Sequence, residues 1–244
     1  MNTTLHTFVP AGPGYGLMMT AAIVVGAFYW IRRMKGNPDL LFIYIGALCG
    51  AFIGAKAAYL VAEGWMDWGG PHLWLRWATG KSVLGGLLGG YAGVELAKKG
   101  VGHRRSTGDA FALILPVGLF LGRIGCMLHG CCQGRPVSPG GLALMDAAGV
   151  PRWPAPQVEA VFQALMLVII LVLHHRGLLR DRLFFLYIVS YGLFRLVHEW
   201  MRDTPRLAWG LSGYHFLALG VVIVGTAGLW SRRKAGVAGF EPAA

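Results

Sequence analysis

Residues 109–136 read DAFALILPVGLFLGRIGCMLHGCCQGRP. From Asp109 to Phe120 the run is almost wholly apolar. Beyond it come an arginine, a histidine and three cysteines, and then a stretch rich in proline and glycine. A helix that crosses a membrane needs roughly 20 mostly apolar residues. Lipid gives the backbone no hydrogen bonds, so such a run is expected to be helical. Six further segments share the pattern. The seven expected helices cover about 15–32, 40–62, 82–98, 109–128, 157–174, 183–201 and 209–231. The expected fold is an all-α polytopic membrane protein with one transmembrane domain over residues 1–244.

Composition and charge point the same way. Of the 244 residues, 55% are hydrophobic and 14% charged, whereas a soluble domain carries about a quarter charged residues. The net charge of +11 does not imply nucleic acid, because the bases flank apolar runs and no recognition motif is present. Arg32, Arg33, Lys35, Lys98, Lys99, Arg104, Arg105, Arg176, Arg180, Arg182, Arg232, Arg233 and Lys234 follow the odd-numbered helices. Only Arg76, Lys81, Arg135, Arg152, Arg202 and Arg206 occupy the other side. The richer side is expected to be cytoplasmic, which puts the N-terminus outside and the C-terminus inside. The leading MNTTLHTFVPAGPGYG has neither a positive n-region nor a small-residue cleavage site, so the first helix is expected to be retained.

The outer segments are the elaborate ones. Residues 64–80 hold four tryptophans, which suit an interfacial belt or a short helix lying on the membrane, and residues 133–156 hold five of the twelve prolines. Gly80-Lys81-Ser82 fails as a phosphate loop, since Leu75 stands where the loop's first glycine should be. Gly85, Gly86, Gly89 and Gly90 form small-xxx-small spacings, which allow close helix packing or backbone approach to a ligand.

Ionisable residues inside apolar helices are expensive and mark functional candidates. Three bases qualify: Lys56, Arg123 and Arg195. Glu95, Glu159 and Glu199 are their possible partners. Arg195 and Glu199 are spaced i, i+4 and share a helix face, with His198 on another. They read either as a packing salt bridge or as a cavity wall in which arginine grips phosphate through its planar fork.

These pieces, in order, resemble the prolipoprotein diacylglyceryl transferase family over most of the chain. Tyr15-Gly16-Leu17, Gly54-Ala55-Lys56 with Tyr59, Gly85-Gly86-Leu87, Gly122-Arg123-Ile124-Gly125 through Gly134-Arg135, Pro154 through Glu159, and Tyr191-Gly192 with Arg195, Glu199 and Arg202 each resemble a family motif. The resemblance implies a bacterial inner-membrane enzyme with its active face outside. Such an enzyme moves the diacylglyceryl unit of phosphatidylglycerol to a lipoprotein-precursor thiol and releases glycerol phosphate. Arg123 and Arg195 would hold the phosphate with help from Lys56. Glu199 would orient Arg195 or act as base. Tyr15, Gly85, Gly86, Gly134, Glu159 and Arg202 would line the lipid site. No metal or other cofactor is needed for that scheme.

The chain also departs from the pattern. Leu84 stands at the family's histidine, Cys126 at an asparagine, Cys131 at a glutamate and Val158 at a tyrosine. The phosphate half is kept and the acceptor half is changed, so the acceptor is a lipoprotein cysteine or a different nucleophile. Several readings of Cys126, Cys131, Cys132 and His129 stay open. One cysteine could be a nucleophile with His129 as its base, a pair could form a disulfide or redox couple, or all could simply pack. A metal site is disfavoured by spacing, because adjacent cysteines seldom serve one ion. A non-catalytic lipid- or lipoprotein-binding relative and a membrane thiol-redox protein are the alternative functions.

Overall fold

The computed structural model describes residues 13–70, 73–207 and 209–238. Most of the segment behind the retained-leader expectation, residues 1–12, lies outside these, as do His72 of the expected interfacial segment and Ala208. The described chain is mostly helical. Eight α-helices run in order: α1 (Pro13–Met34), α2 (Asp39–Ala62), α3 (Leu73–Thr79), α4 (Val83–Gly100), α5 (Gly108–His129), α6 (Ala155–His175), α7 (Leu183–His198) and α8 (Gly213–Ala238). A two-stranded hairpin, β1 (Leu144–Met145) and β2 (Pro151–Arg152), sits between α5 and α6. Single 3-10 turns follow α2 (Gly64–Asp67) and α7 (Glu199–Met201).

Each of the seven expected segments coincides with a long helix, and α3 is the short one expected within residues 64–80. Five helices (α1, α2, α5, α6 and α8) are long and apolar enough to cross a membrane. The other two are weaker: α4 carries Glu95, Lys98 and Lys99, and α7 has 16 residues before its 3-10 extension.

The surface is apolar where a soluble protein's would be polar. Leu17, Ile23, Phe28 and Ile31 of α1, Phe52, Ile53 and Val61 of α2, and Val161, Leu165 and Val168 of α6 are all exposed. Helices apolar all round suit lipid. The core is aromatic at one end, where Trp30 stacks on Tyr44 and packs at a tilt against Phe111, with centroids 5.2 and 4.5 Å away. Asp109, in the first turn of α5, accepts from the backbone N–H groups of Asp181 and Leu183 and so ties the start of α7 to α5. The basic groups Arg33, His103, Arg105, His174 and Arg180 gather at this same end.

Glycines set the α2–α4 contact. A Cβ at Gly89 would fall 2.2 Å from the Gly50 carbonyl oxygen, and one at Gly85 would fall 2.3 Å from that of Gly54. The spacing seen at residues 85 and 89 is therefore used for backbone-to-backbone packing. Gly86 and Gly90 also lie against α2, but more loosely, with a Cβ 3.7 Å from the Ala51 oxygen and 3.4 Å from the Ala51 Cβ, and they line an apolar cavity of about 240 Å³. Ser82 of the failed phosphate loop caps α4 by accepting from the Gly85 N–H.

Candidate active site

Glu159 sits in the second turn of α6 and is fully buried. Three guanidiniums surround it. Arg123 of α5 reaches Oε1 at 2.8 Å, Arg195 of α7 reaches Oε2 at 3.3 Å, and Arg202, just past the 3-10 turn, lies 3.8 Å from Oε2. Tyr191 donates its hydroxyl to Oε1 at 2.8 Å. One turn on, Gln163 accepts from Tyr187 at 2.8 Å, so α6 and α7 meet along a ladder of paired polar groups.

Glu199 is the second acid. Its Oε2 accepts from Arg195 Nη2 at 2.5 Å, which realises the i, i+4 pair read from the sequence. Its Oε1 accepts from the hydroxyls of Thr204 and Ser212 at 2.8 and 3.2 Å. With both oxygens engaged, Glu199 positions Arg195. Three arginines against two glutamates leave the cluster with an excess positive charge.

That excess comes with unused donors. Among the described residues, Arg195 Nε, Arg202 Nε, Arg202 Nη1 and His198 Nδ1 are buried side-chain atoms without a hydrogen-bond partner. His198 Nε2 accepts from the Trp153 indole N–H at 3.1 Å, so a neutral imidazole carries its proton on Nδ1. An unsatisfied buried donor costs about 1–3 kcal/mol. Arg202 Nε and Nη1 stand 3.6 and 3.8 Å from Glu199 and Glu159, too far for a hydrogen bond, so donors without one beside net positive charge make a ready anion site.

The loop between α5 and α6 fixes this end. Gly134 donates to the Trp153 carbonyl at 2.9 Å, and Arg135 donates to that of Met201 at 3.0 Å. Gly134 also bridges Arg202. A Cβ at Gly134 would lie 2.6 Å from the Met201 oxygen, so only glycine lets the three strands of chain meet here. Arg152 ties the hairpin in through Asp146 at 2.6 Å and Asp203 at 2.9 Å. The Asp146 carboxyl is held below the usual range, first by the Val150 backbone N–H and then by Arg152.

The remaining expected residues fall into two groups. Cys126 is buried on α5, 3.9 Å from Arg123 Nη1, and its Sγ lies 3.8 Å from that of Cys132. Sulfurs of Cys126, Cys131 and Cys132 lie within 4.8 Å of one another, and all three are free thiols. His129, the last residue of α5, packs its ring 6.1 Å from that of Tyr15. Tyr15 also rests on Gly125, where a Cβ would come 3.3 Å from its ring. Lys56 makes its hydrogen bonds elsewhere: it donates to the Trp77 carbonyl at 2.8 Å and to that of Ala78, holding the C-terminal end of α3. Leu84 is fully buried among apolar neighbours.

Trp153, Thr204 and Ser212 join the cluster unannounced by any motif, and His198, set on another face from Arg195 and Glu199 by its spacing, joins it through Trp153. Trp153 meets His198 across 45 residues, whereas Thr204 and Ser212 reach Glu199 across 5 and 13, through loop segments with no periodic pattern.

The profile of the family described as prolipoprotein diacylglyceryl transferase matches residues 13–231. The chain belongs to that family. Among its relatives is the phosphatidylglycerol--prolipoprotein diacylglyceryl transferase of Geobacter sulfurreducens, 31% identical over 91% of this chain and 92% of the relative. Proteins of the same name from Idiomarina loihiensis and Rhodospirillum centenum are each 30% identical, over 86% and 88% of this chain and 85% and 84% of theirs. No solved structure matches the chain. Within the family, then, this chain has its arginine–glutamate cluster assembled and a cluster of thiols beside it.

Proposed function

We propose that this protein is a membrane-embedded transferase that moves the diacylglyceryl unit of phosphatidylglycerol to the thiol of a lipoprotein-precursor cysteine. It would do so as a single seven-span domain of the bacterial inner membrane, N-terminus outside, with the arginine–glutamate cluster toward the outer face. The basic end formed by Arg33, Arg105 and Arg180 would face the cytoplasm. The names of the relatives supply the substrates. The observation that carries the reading is the set of buried donors on Arg195, Arg202 and His198 that make no hydrogen bond, around a net positive cluster.

In this reading the lipid phosphate takes those donors. Arg195 and Arg202 are the phosphate-binding arginines, and Arg123 sets the position of Glu159. Glu159 and Glu199 hold the guanidiniums in a fixed array, so little reorganisation is needed as charge builds on the departing phosphate. Attack by the acceptor sulfur on the glyceryl carbon breaks the carbon–oxygen bond to phosphate. Glycerol phosphate leaves as an anion. Cys126 and His129 at the end of α5, Cys131 just beyond it and Tyr15 of α1 packed against His129 form the acceptor side. Gly134 shapes the backbone beside Arg202. Lys56, Gly85 and Gly86 act through helix and loop packing.

The test is release of glycerol phosphate from head-group-labelled phosphatidylglycerol by the purified protein with a lipobox peptide. Wild type is expected to release label, and Arg195→Ala and Arg202→Ala to lose at least tenfold in kcat/KM. Full activity in both variants would sink the phosphate assignment.

A further inference from the structure

The three thiols are not used by the anion cluster. Cys126 belongs to α5, and the chain then turns at Gly130, where φ is 70°. Cys132 also has a positive φ, 62°, a backbone conformation that L residues rarely adopt. Adjacent side chains on an extended strand point apart. Two left-handed residues within three positions instead fold the chain back, so that neighbouring cysteines converge on Cys126. The objection from sequence spacing is met by the backbone.

The sulfur spacing has a chemical meaning. A tetrahedral zinc site with Zn–S bonds of about 2.3 Å has S···S edges of about 3.8 Å. The Cys126–Cys132 separation is 3.8 Å, and the three sulfurs fall within 4.8 Å. Arg123 Nη1 sits 3.9 Å from Cys126 Sγ, while its Nη2 pairs with Glu159. Three thiolates on a zinc ion carry one net negative charge, and a neighbouring guanidinium offsets it.

We infer that Cys126, Cys131 and Cys132 bind one zinc ion and leave its fourth position for an incoming thiol. Three protein ligands and one open position are the arrangement of catalytic zinc. A thiol that coordinates zinc is deprotonated. Resting on the transferase reading above, the acceptor's cysteine enters the fourth position and gives its proton to water. The bound thiolate then forms the sulfur–carbon bond as the carbon–oxygen bond to phosphate breaks, and glycerol phosphate keeps the electron pair. No oxidation occurs. The metal thus supplies the thiol activation that neither Leu84 nor Cys131 provides as an acid or base.

The experiment uses full-length protein in detergent, reduced with a phosphine and stripped by a chelator, then titrated with Co²⁺ and Zn²⁺. One equivalent of Co²⁺ is expected to give thiolate charge-transfer and tetrahedral d–d bands, and one equivalent of Zn²⁺ to abolish them. C131S and C132S should each weaken binding by at least tenfold. C132S changes an exposed residue, so it keeps the test valid where C126S does not fold. A lipobox peptide should shift the d–d bands, and its serine counterpart should not. Absent tetrahedral bands, equal binding by the triple serine variant, or a metal-free Cys126–Cys132 disulfide would each overturn the site. Full lipid turnover by zinc-free protein would overturn the metal's part in the reaction and leave the transferase reading standing. Tetrahedral bands without turnover on any acceptor would do the reverse.

Discussion

Replacing Glu159 with glutamine should be among the costliest single changes in this protein. The side chain keeps its size, so packing is not the issue. The carboxylate is fully buried and faces guanidiniums at 2.8 and 3.3 Å and a third at 3.8 Å. Removing its charge leaves Arg123, Arg195 and Arg202 with Glu199 alone. Removing one partner of a buried pair costs about 3–5 kcal/mol. At about 2–4 °C per kcal/mol for a chain of this size, the melting temperature should fall by roughly 6–20 °C. The assay is thermal unfolding in detergent, followed by tryptophan fluorescence. Arg123→Gln should also destabilise. The double variant should lose less than the sum of the two, with a coupling of about 0.5–3 kcal/mol, because it no longer buries an unpaired guanidinium. A Glu159→Gln protein that melts with wild type, or strict additivity in the cycle, would refute the claim that this carboxylate holds the arginines.

Other outcomes follow from single geometries. Arg202→Lys should fold but lose roughly 10–100-fold in kcat/KM for phosphatidylglycerol, since one ammonium cannot replace a planar fork whose Nε and Nη1 make no hydrogen bond and stand 3.6 and 3.8 Å from Glu199 and Glu159. Gly89→Leu should block α2–α4 packing, because its Cβ would already sit 2.2 Å from the Gly50 oxygen, and yield of folded monodisperse protein on size exclusion should drop sharply. The Asp146 carboxyl has a depressed folded pKa, so its contribution to the hairpin is present above the unfolded value near 4 and is lost only as pH falls through the lower folded one. Protection of the Ala148 and Val150 amides, read as intrinsic-rate-corrected exchange, should hold from neutral pH to about 5 and weaken only in stronger acid.

The helices were legible because lipid enforces a simple code: long apolar runs with bases at their ends. The Arg195–Glu199 pair was legible for the same local reason, since i, i+4 spacing does not depend on the rest of the fold. What surrounds Glu159 was not. Arg123, Arg195 and Arg202 reach it from three elements, and no spacing in the sequence encodes that meeting. Lys56 looked like a phosphate ligand by its place in an apolar helix. Its reach to the Trp77 and Ala78 carbonyls depends on where the short α3 lies. The cysteines show the limit most clearly. Their spacing argued against a common ion, but the left-handed turn at Cys132 is a backbone fact that spacing does not reveal.

The central claim is transfer chemistry at the Glu159 cluster. The most direct measurement is the mass of a lipobox peptide after incubation with the purified protein and phosphatidylglycerol of defined acyl chains. The account predicts a cysteine-dependent gain of one diacylglyceryl unit in stoichiometry with free glycerol phosphate, abolished in Arg195→Ala. An unmodified peptide and intact lipid, under conditions where the same protein binds phosphatidylglycerol vesicles, would contradict it.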